Sequence, residues 1–472
     1  MQPHSEPMSA VDRAWLRMES EQNPMMISAV LAFDDAIPLP RLRRVLSERL
    51  LAFRRFRQRP YHHRGTTYWQ DDPRFDLDNH LHRMALAGQG SQLDLQELVS
   101  DLNSTPLDFR HPLWQIHYVD HYGDGCALIV RIHHCIADGL SLVRVLLSLT
   151  DSNATAKIHT LSPSANRPPR RQALWQRRLD QLLTAPSTIR QRGERLRHSL
   201  REGQFGRRFA REASGWVVDG LKLALAANEP PTGLKPALSG RKQVAWANPL
   251  DLAQVKACAH TLGGTVNDVL LSVAAGTLHQ YFENSGRQAP DCGLRVAVPF
   301  NLRPLHQPVD TLGNQFGLVL VTLPVDVPCP LMRFHQTRET MSRLKQSHQA
   351  EITYSLLDLF GHGPDQLERQ ALNLLSHKAT AVLTNVPGPK QPVYLAGARL
   401  RQPMFWVPQS GDIGIGMSIF TYDGTVQFGF SVDKAIDLDP NAVMTDFHNE
   451  FDRLLQAIPR GQPFLREPRA AS

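Results

Sequence analysis

Apolar positions recur along this chain with two different periods, and the two periods separate strands from helices. Met25–Phe33 is a nearly unbroken apolar, strand-like run, while Leu39–Phe53 places Leu42, Val45, Leu46 and Leu50 at helical spacing. Leu113–Val119 and Cys126–Ile132 predict two strands, with Gly123, Asp124 and Gly125 as a hairpin turn between them. Gly139–Leu149 follows as a helix that keeps Leu140, Val143, Leu146 and Leu147 on one face. Farther on, Val266–Phe282 predicts a strong helix. Strands are expected near Leu294–Val298, Gly317–Leu323, Thr380–Leu383, Ile413–Phe420 and Val426–Ser431.

These elements imply a mixed α/β fold in more than one unit, since 472 residues exceed what one ordinary core holds. Residues 1–151 read as a first α/β domain and 241–460 as a second, with 461–472 as a loose tail holding Pro463 and Pro468. Between the domains, 152–240 is rich in Arg and Pro. It still places Trp175, Leu179 and Leu182, then Ile189, Leu196 and Leu200, at helical spacing, as expected of a basic linker of broken amphipathic helices.

Charge and cysteines narrow the picture modestly. A net charge of +7 suits a polyanionic ligand, an anionic membrane or nucleic acid without choosing among them. The 5 cysteines are scattered and never form a CxxC pair, so neither a disulfide framework nor a zinc knuckle is expected, and no metal site follows. His62, His63, His80 and His82 cluster without metal-ligand spacing and read as surface or packing residues. The first residues lack the basic start and apolar core of a secretory signal. Apolar stretches such as Phe316–Leu323 stop short of the roughly 18 residues of a spanning helix. A cytoplasmic protein is expected, with peripheral contact at a membrane or lipid body left open.

The chemistry concentrates in His133-His134-Cys135-Ile136-Ala137-Asp138-Gly139, where an apolar strand passes through a loop into a helix. A histidine at a strand end can project into a cleft, and a ring with a reference pKa of about 6.5 is largely neutral near pH 7, as a general base must be. Asp138 suits the N-cap of the following helix, and Gly139 suits a turn that a Cβ would oppose. Both histidines could instead be structural. Cys135, beside the histidine, is a conceivable thiol nucleophile. No GxSxG elbow is present, which argues against an α/β-hydrolase.

HHxxxDG in a strand–loop–helix setting is the signature of the coenzyme A-dependent acyltransferase superfamily. Four further segments narrow the resemblance: Pro112-Leu113-Trp114, Asn267-Asp268, Asn385-Val386-Pro387-Gly388-Pro389 and Tyr422-Asp423-Gly424. In this order they resemble the motifs of the bacterial wax ester synthase/diacylglycerol acyltransferase family, over about Asp12 to Leu455. The resemblance implies two chloramphenicol-acetyltransferase-like domains joined by a helical crossover, with an active-site tunnel between them. It implies His134 as the base, His133 in support, and Asp138 holding the shape of the site. It further implies acyl-coenzyme A as co-substrate without any other cofactor, a fatty alcohol or diacylglycerol as acceptor, and no nucleic-acid partner. The alternatives are a condensation-type or carrier-protein-dependent acyltransferase of the same superfamily, or a non-catalytic lipid-body protein. Thr384 stands where the family often has Ser.

The remaining candidates each carry two readings. Thr265 and Asp268 form a capping box ahead of Val266–Phe282, which explains Asp268 structurally, although it also stands as a substrate-binding candidate. Asn267 lies outside that explanation, and its amide could steady the thioester oxygen or orient the acceptor. Pro112 and Leu113 open a strand, and Trp114 is either core packing or tunnel wall. Asn385 either shapes a rigid Pro/Gly loop or faces substrate.

Overall fold

The computed structural model describes residues 5–156, 229–230, 232–301, 312, 314, 316–345, 347, 349, 352–355 and 376–458. Of the expected linker, positions 157–228 lie outside the described residues, as does the expected tail 461–472.

Two sheets with helices packed on them form the molecule. The first has the order Tyr394–Leu395, Ala398–Trp406, Met26–Phe33, Gly125–His133, Trp114–Tyr122, Leu81–Ala85. Its centre is the hairpin read from sequence, now extended by a bulge beside His121, whose φ of 56° sits between Asp120 and Tyr122. Gly139–Leu149 crosses one face of this sheet, and Leu149, Val145 and Ile136 join its core. The second sheet runs Phe316–Leu323, Leu294–Asn301, Ala381–Pro387, Ile415–Tyr422, Thr425–Asp433, Lys242–Trp246, with Leu250–Asp251 beside Thr425–Asp433. Helix Val266–Ser285 lies against it, flanked by Pro330–Leu344 and Pro440–Ala457. A small third sheet joins Ser5–Pro7, Thr66–Asp71 and Gln58–His63.

The halves are stitched rather than merely juxtaposed. Strand Ala398–Trp406 belongs to the second half by sequence but pairs antiparallel with Met26–Phe33 of the first. Sequence pattern hides this strand because Pro403 lies within it, and proline ordinarily argues against an interior strand. A register shift between Leu400 and Gln402 precedes it. Asn23 adds a polar tie: its side-chain amide donates to the carbonyls of Gly411 (2.8 Å) and Ile413 (3.0 Å) and accepts from Lys242 Nζ (2.6 Å).

Three expectations need correction here. The segment Asn385-Val386-Pro387 is not a loop; it ends the strand Ala381–Pro387, which runs parallel to Ile415–Tyr422. Only Gly388 and Pro389 turn away, and Gly388 passes so close to Thr421 that a Cβ would sit 2.4 Å from its carbonyl oxygen. Pro112 and Leu113 precede their strand, which starts at Trp114. Gly139 adopts no left-handed backbone, and a Cβ there would meet nothing within 4 Å.

Candidate active site

Backbone hydrogen bonds hold the histidine loop on three sides. His133 N–H donates to Leu113 O (2.9 Å), His134 N–H to Met25 O (2.7 Å), and Ile136 N–H back to His133 O (3.0 Å). The Leu113 carbonyl thus explains the Pro112-Leu113-Trp114 segment as an anchor for the loop. Trp114 continues that role: its indole donates to Phe56 O (2.8 Å) and stacks on His80, with centroids 4.4 Å apart. Pro112 and Leu113 are buried away from the cavities described below, so a direct contact with substrate finds no support for them.

His133 turns away from the chemistry. Its Nδ1 accepts from Cys135 N–H (3.0 Å), which places the ring proton on Nε2, 3.3 Å from Glu19 Oε2. Glu19 also accepts the Met25 N–H, so the carboxylate beside His133 holds the backbone to which His134 is bonded. Asp138 caps the helix as expected, accepting from Ser141 N–H at 2.8 Å. The Cys135 thiol is sealed in the core, and burial pushes its pKa well up, so the nucleophile reading is withdrawn.

His134 packs against two aromatic rings that also touch each other. Trp15 stacks on it with centroids 4.1 Å apart and planes 19° apart, and Phe316 tilts against it at 5.4 Å. Burial depresses the imidazole pKa to about 4. The charge of Asp138, the residue's own carbonyl and the Asn314 side chain pull the other way, and His133 adds to the depression. At neutral pH the ring is therefore an uncharged base. It lines a cavity of about 260 Å³ between the halves. Gly139 and Asp138 come from the first half; Phe316, Leu318 and Asn385 come from the second.

A second cavity, about 100 Å³ and walled by apolar residues such as Trp114, Leu142 and Leu146, lies under helix Gly139–Leu149. Gly139 and Phe405 line both cavities.

The asparagines divide unequally. Asn385 lines the cavity and its Nδ2 donates to Asn267 Oδ1 (2.9 Å). Asn267 does not reach the lining, so its expected action on the thioester oxygen is replaced by a hold on Asn385. Asp268 is committed to the capping box, accepting from Thr265 N–H at 2.8 Å, and its substrate-binding reading gives way to the structural one.

Sequence reasoning passed over Trp15, Met18, Glu19, Asn314, Phe316 and Phe405. Helix Ala10–Arg17 was findable: Ser9 caps it, and Val11, Ala14 and Trp15 are spaced for one buried face. Nothing local marks Asn314 or Phe405, because only tertiary contact brings them here.

Burial of neutral histidines also sets an acid liability. His117 is depressed to about 3 by burial, with the Arg131 guanidinium adding to the effect. Unfolded, the ring would titrate near its model value of 6.5, so below that pH the unfolded chain binds a proton that the native state refuses. Stability is lost as pH falls from about 6.5 towards 3. His117→Gln should therefore show a smaller drop in urea midpoint between pH 7 and 5 than the parent protein. Equal drops would contradict this.

The comparisons with known proteins agree with the geometry. The wax ester synthase/diacylglycerol acyltransferase catalytic domain matches residues 8–270, and the C-terminal domain of the same family matches 312–455. A Mycobacterium tuberculosis protein described as a probable diacylglycerol O-acyltransferase is 27% identical over 437 residues, covering 89% of this chain and 87% of its own. Another M. tuberculosis protein named for the same activity is 30% identical over 417 residues, covering 83% and 87%. Among solved structures, the wax ester synthase/diacylglycerol acyltransferase of Marinobacter aquaeolei VT8 superposes with a TM-score of 0.66 at 20% identity, covering 96% of this chain and 100% of that one. The first condensation domain of the calcium-dependent antibiotic synthetase shares the fold, with a TM-score of 0.59 at 14% identity over 96% and 95%. This chain belongs to the wax ester synthase/diacylglycerol acyltransferase family and is an acyl-CoA-dependent acyltransferase.

Proposed function

We propose that this enzyme moves a long-chain acyl group from coenzyme A to the hydroxyl of a fatty alcohol, a diacylglycerol or both, with His134 as general base. The observation that carries the reading is a neutral imidazole, packed against Trp15 and Phe316 and lining an apolar cavity built by both halves. With Nδ1 sealed in the interior, the Nε2 lone pair is the one available to the cavity. Nε2 takes the acceptor's hydroxyl proton as that oxygen attacks the thioester carbonyl. The tetrahedral intermediate collapses by breaking the C–S bond, and the imidazolium returns the proton to the departing thiolate. Asn385, oriented by Asn267, is the side-chain amide placed to face the oxyanion.

Alkyl chains suit these two apolar cavities, which share Gly139 and Phe405 as lining residues, since each buried methylene is worth about 0.8 kcal/mol. Gly139→Leu would push a side chain into the lining shared by both cavities. With two or three methylenes expelled, it should lower kcat/KM for palmitoyl-CoA by roughly tenfold or more and for butyryl-CoA far less. Equal losses on both thioesters would refute the chain path. Peripheral contact with a membrane or lipid body rests on the basic segment 152–240, most of which lies outside the described residues.

Thiol release from palmitoyl-CoA, with hexadecanol or dioleoylglycerol supplied and the ester identified, tests the function. Ester formation with either acceptor supports it. Thiol release without any ester would end it.

A further inference from the structure

Asn314 sits beside the catalytic histidine with nearly every polar atom assigned. Its Nδ2 donates to His134 O at 2.9 Å and to Asp12 Oδ1 at 2.8 Å, and its backbone N–H also donates to Asp12 Oδ1, at 3.1 Å. Both partners of Nδ2 are acceptors, so the amide cannot be flipped without losing both bonds. All three residues are buried. Of the side-chain atoms of these three residues, two are buried without a hydrogen-bond partner among the described residues: Asn314 Oδ1 and His134 Nδ1. One is an acceptor and the other carries the proton when Nε2 is the base. Leaving either unpaired in the interior costs about 1–3 kcal/mol, so a small closure that joins them is favoured.

We propose that Asp12 and Asn314 are positioning residues for the catalytic imidazole. Asp12 holds Asn314 from helix Ala10–Arg17, and Asn314 clamps the His134 carbonyl and presents its oxygen to Nδ1. The inference rests on the reading of His134 as base and adds what aims it. The same helix supplies Trp15, stacked on the ring, so one element fixes the imidazole both in its plane and against its face. A neutral amide at Nδ1 selects the tautomer with a free Nε2 and brings no full charge against the ring. The charged or titratable groups around it are Asp138 and His133 at the ring, Glu19 behind His133, and Arg55 near Asp12.

Steady-state kinetics with palmitoyl-CoA and hexadecanol test this on Asn314→Ala, Asp12→Ala, Asp12→Asn and the double alanine variant, with melting temperatures recorded in parallel. The expected result is a loss in kcat of at least about tenfold for each single alanine variant, with KM for acyl-CoA changed less than about threefold. Asp12→Asn, which keeps an oxygen acceptor, should retain most of the activity. The double variant should be no slower than the worse single one, because both break the same chain of contacts. Near-normal kcat in Asn314→Ala would overturn the proposal, and so would losses that multiply in the double variant. Should Asn314→Ala fold poorly, the contrast between Asp12→Ala and Asp12→Asn decides, and equal losses there overturn it. His134→Ala, assayed alongside, separates the two readings. Full activity in that variant removes the base itself, whereas its inactivity beside an active Asn314→Ala removes only the relay.

Discussion

Replacing His134 by alanine is expected to lower kcat for ester formation by at least about a hundredfold, the lower end of what a positioned general base contributes. The reasoning is chemical. An aliphatic alcohol is a poor nucleophile at neutral pH unless its proton leaves as the C–O bond forms. Of the groups lining the cavity, His134 is the neutral nitrogen base, while the Asp138 side chain is engaged in capping its helix. A hundredfold loss corresponds to about 2.7 kcal/mol of transition-state stabilisation. The variant should remain folded, because the ring's removal leaves Trp15 and Phe316 packed against each other at 5.6 Å. Circular dichroism and melting checks belong with the assay. A folded variant that makes ester at the parental rate would contradict the assignment.

The second large effect concerns the scaffold. Arg333 and Glu450 are each 1% exposed and pair at 2.7 Å, linking helices Pro330–Leu344 and Pro440–Ala457. Arg333 also donates from Nε to Val327 O and from Nη2 to Pro328 O, both at 3.0 Å, which fixes the turn after the cavity-lining strand Phe316–Leu323. Gly276 makes room for the pair: a Cβ there would come within 2.2 Å of both side chains. Glu450→Ala strands a buried guanidinium and should cost about 3–5 kcal/mol in urea unfolding. Replacing both residues by leucine should recover much of that loss, because the penalty comes from the unpaired charge rather than from the absence of attraction. A loss below about 1 kcal/mol in Glu450→Ala would show that water or a rearranged partner reaches Arg333.

The sequence disclosed the elements whose neighbours in space are also neighbours in the chain. The hairpin Trp114–Tyr122 with Gly125–His133, and the helix Gly139–Leu149 that follows, needed only periodicity, turn residues and a cap. Together they deliver His133, His134 and Asp138, so this part of the site was legible. The stacking partner Trp15 and the clamp Asn314 were not, because their roles arise from contacts spanning 119 and 180 positions that no local pattern encodes. Strand Ala398–Trp406 was hidden for a different reason: its Pro403 and alternating arginines mimic a loop, and pairing with Met26–Phe33 overrides that local signal. Asn267 and Gly139 show a third limit. The motif residues were identified, but the hydrogen bond of Asn267 with Asn385 and the open space beside Gly139 cannot be read from residue type.

The pH dependence of kcat/KM tests the buried neutral base most directly, with initial rates taken promptly after transfer to each pH so that the fold persists. A depressed imidazole at about 4 keeps its lone pair through the mildly acidic range. Activity should hold from pH 7 to about pH 5 and fall with a midpoint near 4, a midpoint that disappears from the residual rate of His134→Ala. A midpoint at 6.5 or above would mean that the group doing the work is an ordinary solvent-exposed histidine, and the buried His134 would no longer account for catalysis.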